Sequence, residues 1–451
     1  MEFQKFALVG HPVGHSMSPF LHSRLFKLSG THAGYRLEDV SPERLAASLP
    51  RLREYDGFNV TIPHKQAVIP LLDAIDPKAA AAGSVNTVKN EGGRLTGFTT
   101  DGEGFRRALE SAGVPLGGNV AVLGAGGAAR AVAFEAARAG AAVTVASREH
   151  SAAAAARLCA DLNETVTGAG ARACLISGLC GKWDLLVNAT PAGMYPNTGA
   201  CAATEELIEN SACVFDAVYN PGETELLALA KRLGKKAVGG LGMLVGQAAA
   251  SEEIWLGSRF SERDLGRLCE ETSLELRKKF GNVVLCGFMG SGKTTCGRLL
   301  AEKTGRRFLD LDEWIERKEG MTVAEIFAEK GEAAFRDMET RAVRELPRAG
   351  GLVVAAGGGT LLRKENADAL RANGVVVLLD ASLGAVRERL KGSSSRPLLR
   401  QGGEADPMGK LYRERAALYR AATDLTVGAD GTPEATAAAV EKALKPACAA
   451  V

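Results

Sequence analysis

VVLCGFMGSGKTTCGRLL, residues 283–300, passes from an apolar, β-branched run through a glycine-rich turn into a segment of helix formers. Within it, Gly287 to Thr294 fits G-x-x-x-x-G-K-[ST] at every fixed position. That spacing has a definite chemistry: backbone amides cradle phosphates, the lysine reaches the β and γ groups, and the hydroxyl meets Mg²⁺. Gly287, Gly290, Ser291, Gly292, Lys293, Thr294 and Thr295 are therefore the expected contacts of a nucleotide such as ATP, with Thr294 also on Mg²⁺. A second strand-to-helix turn, VAVLGAGGAARAVAF at 120–134, places Gly124, Gly126 and Gly127 ahead of Ala128. Glycines there permit a tight turn and close approach of amides to a pyrophosphate seated on a helix N-terminus. Ala129 stands at the third fingerprint position, a substitution the fingerprint permits. Each turn should open its own nucleotide-binding domain.

Working outward, short apolar runs (FALVG, GFNVTI, NVAVLG, AVTVAS, LLVNA, CVFDAV, NVVLCG, LVVAAG, VVVLLD) alternate with amphipathic or Ala-rich segments. That rhythm predicts parallel α/β units throughout. At 451 residues the chain exceeds one core, and about 150 residues per domain gives roughly three domains. About 115 residues precede the strand that leads into the turn at Gly124 to Gly127, enough for a separate substrate domain. SERDLGRLCEETSLELRKKFG, 261–281, reads as a polar linker helix capped by Ser261, and a cut near Lys278 should leave two active halves. The tract SAAAAARLCADL reads as an ordinary surface helix.

Lys and Arg number 55 against 53 Asp and Glu, a net +2 without long single-sign blocks, so the expected partners are small molecules and neither nucleic acid nor membrane. No apolar run reaches the roughly 18 residues of a bilayer span, and MEFQKFALVGHPVGHS lacks a basic region and cleavage site; the protein reads as cytoplasmic. Nine cysteines without a C-x-x-C pair indicate neither a disulfide framework nor a zinc site. Oligomeric state is left open.

The strand after the Gly124 to Gly127 turn ends in VTVASRE, offering Ser147 and Arg148 where a ribose 2′-hydroxyl would require an acidic residue. Arg148 favours a 2′-phosphate, hence NADP over NAD, with Glu149 beside it opposing. Upstream, GHPVGHSMSP spaces Ser16 and Ser18 so that both hydroxyls can face one cleft and bind a hydroxylated or carboxylated ligand. NVTIPHK then supplies Thr61 and Lys65, GSVNTV supplies Asn86, and GFTTDGEG supplies Asp101. A lysine beside a carboxylate is an acid/base pair whose amine the anion orients.

These strings, followed in order by GAGGAA, NATPAGM, DAVYNP and GLGMLVGQ, closely resemble the shikimate dehydrogenase family over Phe6 to Gly257. The resemblance implies that Ser16, Ser18, Thr61, Asn86, Asp101 and Gln247 hold shikimate, that Lys65 and Asp101 transfer the proton as NADPH reduces a ring ketone, and that Tyr219 and Gly240 close the cleft near the nicotinamide. Thr99 departs from the family, which usually has Asn there.

FLDLDEWIE, GEAAFRDME, AAGGGT, SSRPLL and ERAALYRAA, after the phosphate loop, resemble the shikimate kinase family. By that likeness Asp310 organises the Mg²⁺ shell and Asp312 orients the acceptor hydroxyl or acts as base. Arg336 and Arg415 grip a carboxylate, Gly357, Gly358 and Gly359 contact ring hydroxyls, and Arg396 closes over ATP from a lid. The implied architecture is α/β: a substrate domain over 1–115, a Rossmann-like NADP domain over 116–260 whose last helix returns to the first, the linker over 261–281, and a P-loop domain of the nucleoside-monophosphate-kinase type over 282–451. The implied enzyme takes 3-dehydroshikimate to shikimate and then phosphorylates it. A quinate-preferring first half and a catalytically silent sensor are the alternatives; Ser16 with Ser18 opposes the former, and the intact set Lys65, Asp101, Lys293, Thr294 and Asp312 opposes the latter.

Overall fold

A computed structural model describes residues 3–347, 350–391 and 406–445. The chain forms two compact units, Met1–Ser273 and Leu274–Ala447. The first holds two six-stranded sheets and the second a five-stranded one.

The central sheet of the first unit runs Lys236–Gly239, Ser211–Asp216, Trp183–Asn188, Asn119–Leu123, Ala142–Ser147, Arg172–Leu175, every pair parallel. Numbered along the chain and read from the other edge, the order is 3-2-1-4-5-6, the doubly wound arrangement that leaves a crevice where strand order reverses. Period-two alternation sends Val120 and Val122 to one face with Phe134 and Phe215, and Ala121 and Leu123 to the other with Leu186 and Val214. Both faces are covered, which is why the strands read as unbroken apolar runs.

The N-terminal sheet departs from the all-parallel expectation. Ala33–Asp39, Gln4–Gly10 and Gly57–Val60 are parallel, but Thr87–Glu91 pairs antiparallel with Gly57–Val60 and with Arg94–Phe98. Glu91 faces Arg94 across a two-residue loop, Gly92-Gly93, at φ 62° and 91°. Two successive positive φ values match strand twist in a tight hairpin, and glycine adopts them without strain.

The helix Leu241–Leu256 returns to this lobe and crosses the helix Asp101–Ser111. A Cβ on Gly104 would lie 2.5 Å from the Met243 carbonyl, so the crossing depends on glycine. Trp255 locks the far end, stacking on Phe6 at 4.6 Å and donating Nε1–H to the Val88 carbonyl at 2.9 Å.

In the second unit the order is Arg307–Asp310, Leu352–Ala355, Asn282–Cys286, Gly374–Asp380, Leu425–Gly428, all parallel. The helix Glu262–Phe280, with Ser261 Oγ accepting from the Asp264 amide at 3.2 Å, is more than a linker. From Leu274 it belongs to the second unit. Arg277 donates to Asp424, whose side chain is 3% exposed, at 2.8 Å, and to the Gly374 carbonyl at 2.9 Å. A cut near Lys278 would therefore strip one of two arginine partners from the buried Asp424 carboxylate, leaving Arg371. A kinase fragment beginning at Gly281 is expected to be less stable than one beginning at Ser261 by about 2 kcal/mol, read from urea unfolding of the two.

No described helix is long and apolar enough to cross a membrane. The Ala-rich tract forms the helix Ala152–Thr165.

Candidate active sites

In the first unit Lys65, Asn86 and Asp101 converge. Asp101, 7% exposed, begins its helix and accepts from two sides: Lys65 Nζ reaches Oδ2 at 2.5 Å and Asn86 Nδ2 reaches Oδ1 at 2.8 Å. Asn86 is itself fixed, accepting from the Thr100 amide at 2.8 Å. Ser16 donates to Ser18 Oγ at 3.1 Å and accepts from the Ser18 amide at the same distance. Thr61 follows the strand Gly57–Val60 and Gln247 lies on the returning helix, its amide donating to the Leu244 carbonyl at 2.9 Å. A Cβ placed on Gly127 would lie 3.7 Å from Lys65 Cδ, so the acid/base pair stands beside the dinucleotide turn.

Gly124 holds φ 110° with Ala189 and Thr190 close against it, and Gly126 caps the helix Gly127–Arg138 with open space before it, so amides and the positive helix end point at one place. Gly240 packs directly on the Ala217 carbonyl, leaving no room for a side chain. Ser147 ends its strand and Arg148 is exposed just beyond it. Burial raises the Tyr219 hydroxyl above its ordinary pKa. Thr99 leaves Oγ1 buried without a partner among the described residues, yet the Thr100 and Asp101 contacts stand.

Spacing alone did not reveal what holds the crevice loops. Asp216, fully buried, accepts from Asn188 Nδ2 at 2.9 Å, the Val218 amide at 3.0 Å and Thr224 Oγ1 at 2.6 Å. Burial pushes its carboxyl up to about 6 despite these three donors. Asn188 in turn accepts from Thr190, tying the loops that follow two neighbouring strands, one of them bordering the strand reversal, to one buried carboxyl.

In the second unit a cavity of about 930 Å³ is lined by the phosphate loop, Asp310, Asp312, Arg336, Gly358, Gly359 and Arg415. Gly287, Gly290 and Gly292 hold φ 141°, 77° and 92°. Lys293 Nζ donates to the Gly287 carbonyl at 2.9 Å. Ser291 is buried, with Oγ unpartnered among the described residues, and Thr295 is exposed at the rim. Asp310 divides its oxygens: Oδ1 caps the helix Leu311–Glu319 through the Asp312 amide at 3.1 Å, and Oδ2 accepts from Thr294 Oγ1 at 2.7 Å. That hydroxyl and carboxylate are the hard oxygen donors Mg²⁺ takes.

The triple glycine is needed for close approach. A Cβ on Gly357 would lie 2.6 Å from Asp312 Oδ1 and 2.7 Å from Glu339 Oε1, and one on Gly359 would overlap the Arg336 guanidinium. Glu339, fully buried, accepts from Arg336 at 2.7 Å and from Thr360 Oγ1 at 2.6 Å. It stands one turn from Arg336 beyond Gly331, where φ 80° breaks the helix Val323–Arg344. Arg415 donates to the Gly358 carbonyl at 3.2 Å, as does Tyr419 at 2.5 Å. Arg396 lies outside the described residues.

A doubly wound sheet with a lysine–carboxylate pair at its phosphate turn, joined to a phosphate-loop sheet with buried acid and arginines, defines a two-unit nucleotide-dependent enzyme. The shikimate kinase family model matches residues 289–445, and the shikimate dehydrogenase substrate-binding-domain model matches residues 8–88. A shikimate dehydrogenase (NADP⁺) of Moorella thermoacetica is 42% identical over 277 residues, 59% of this chain and 92% of that protein. One from Methanopyrus kandleri is 44% identical over 261 residues, 55% and 89% of the two chains. The crystal structure of the Thermus thermophilus enzyme with NADP(H) and shikimate aligns with TM-score 0.54 at 36% identity, covering 60% of this chain and 99% of that one. The chain belongs to the shikimate dehydrogenase family and carries a shikimate kinase domain as its second unit.

Proposed function

We propose that the first unit reduces 3-dehydroshikimate to shikimate with NADPH, and that the second transfers the γ-phosphoryl group of ATP to a shikimate hydroxyl, giving shikimate 3-phosphate. The observation that carries this reading is the presence, in one chain, of Lys65–Asp101 beside Gly127 and of Asp312, Arg336 and Arg415 in the phosphate-loop cavity. The product implied by one site is the substrate implied by the other.

NADPH supplies hydride when bound. Lys65 gives a proton to the ketone oxygen as the alcohol forms, Asp101 aims the amine, and Ser16, Ser18, Thr61, Asn86 and Gln247 fix the ring. Tyr219 and Gly240 would border the nicotinamide. In the second unit Thr294 and Asp310 would hold Mg²⁺, which when bound neutralises phosphate charge. Arg336 and Arg415 present planar forks to the substrate carboxylate, Gly357 to Gly359 meet its hydroxyls, and Asp312 orients the attacking one and accepts its proton.

The test is the full chain with 3-dehydroshikimate, NADPH and MgATP. NADPH oxidation and shikimate-dependent ATP consumption are both expected, with quinate the poorer substrate of the first unit; folded protein lacking either activity removes that half of the reading. Arg148→Leu is expected to lower kcat/KM for NADP by roughly tenfold, the worth of a charge-assisted contact of about 1.5 kcal/mol, and to leave NAD nearly unaffected. An equal loss for both cofactors would detach Arg148 from the 2′-phosphate.

A further inference from the structure

Behind Ser18 lies a polar pair with no role so far. His22 and Glu252 are 1% and 0% exposed, and His22 Nδ1 stands 3.1 Å from Glu252 Oε1. Burial draws the imidazole down to about 3 and pushes the carboxyl up to about 9, so a neutral ring meets a neutral acid across this contact. Among the described residues, His22 Nε2 and Glu252 Oε2 find no hydrogen-bond partner. A buried polar pair left half satisfied is less stabilising than apolar side chains of the same volume. Stability does not account for it.

Its place in the fold does. His22 is one turn beyond Ser18 on the helix Ser18–Ser29, and Glu252 is five residues beyond Gln247 on the helix Leu241–Leu256. The pair thus joins the two helices that carry those substrate-facing side chains. The imidazole also stacks on Tyr35, centroids 4.2 Å apart and planes 6° from parallel. Burial raises the Tyr35 hydroxyl well above its ordinary pKa, against a hydrogen-bonding influence from Ser18. That hydroxyl donates to Asn59 Oδ1 at 2.7 Å, and Asn59 Nδ2 donates to Ser251 Oγ at 2.9 Å, next to Glu252. The circuit His22, Tyr35, Asn59, Ser251, Glu252 closes on itself through both helices.

We propose that His22 and Glu252 form a positioning clip that fixes the Ser18 helix against the Gln247 helix and so sets the affinity of the first unit for its polyhydroxylated substrate. The proposal rests on the reading of that cleft as the shikimate site. Neither residue touches substrate; both act through helix placement and the ring of Tyr35.

The experiment is steady-state kinetics of the full chain with shikimate and NADP. The double substitution His22→Phe with Glu252→Leu keeps volume and removes the polar clip. It should raise KM for shikimate about tenfold, since small misplacements of binding groups are costly, and leave kcat and KM for NADP within about twofold. Glu252→Gln, a neutral side chain of the same shape, should restore the wild-type KM. An unchanged shikimate KM in the double variant, or Glu252→Gln as impaired as the double variant, overturns the proposal. If the double variant does not fold by circular dichroism, Glu252→Met decides: it keeps the volume and leaves the His22 ring on Tyr35 but removes the hydrogen bond between the helices, and a KM equal to wild type overturns the proposal while a rise of about tenfold supports it. Failure of the unaltered chain to oxidise shikimate would instead remove the functional reading on which the clip depends.

Discussion

Lys65→Met is expected to lower kcat for shikimate oxidation by about 10²-fold or more, with KM for shikimate changed only severalfold. Methionine nearly fills the lysine stem, so the substitution removes the amine without opening a cavity. Asp101 is not poised to replace it: it is held on its other oxygen by Asn86 at 2.8 Å, and Asn86 is pinned by the Thr100 amide, so the carboxylate cannot swing to the reacting oxygen without breaking both contacts. The loss should fall on the step in which the proton moves. Steady-state kcat and KM measured beside the melting temperature check it. A rise in KM alone would make Lys65 a binding residue and return the proton to another group.

What the sequence made legible was chemistry carried by contiguous strings. The phosphate loop in one unit and the glycines at 124 to 127 in the other each form the turn their spacing implies, because a strand-to-helix turn delivers neighbouring residues to one edge of its sheet. The antiparallel hairpin at Gly92-Gly93 departs from the α/β rhythm, because its only local mark is two residues long. Other features join residues distant in sequence. His22 and Glu252 are 230 positions apart, and only the return of the last helix to the first lobe brings them together. Asp216 reads as a strand-end acid; that three donors from two loops enclose it depends on which strands are neighbours. Glu339 sits at helical spacing from Arg336 and could have been paired with it from sequence, but its second bond, to Thr360, fixes the glycine turn and is a tertiary fact.

Asp312→Asn is expected to abolish phosphorylation, by about 10²-fold or more, while making the second unit more stable at neutral pH. The two effects share one cause. Burial, with Glu339 and Asp310 nearby, pushes the Asp312 carboxyl up to about 6 against the opposing pull of Lys293, and Oδ1 has no hydrogen-bond partner among the described residues. Because the folded value lies above the unfolded one, the folded state holds its proton more tightly. This group's contribution to stability is therefore full below about 4 and lost as pH rises through about 6. Keeping it ionised at pH 7 costs about 3 kcal/mol, which the amide does not incur. Activity runs the other way, because only the anion can take the proton of the attacking hydroxyl. kcat/KM for shikimate in the kinase assay should fall as pH drops through about 6. Glu339→Gln removes one of the charges that raises Asp312, so the acid limb should move to lower pH even though Arg336 is held less firmly and the plateau is lower. A limb that stays in place in that variant would belong to another group, such as the nucleotide phosphates. Normal turnover of Asp312→Asn would take Asp312 out of the mechanism altogether.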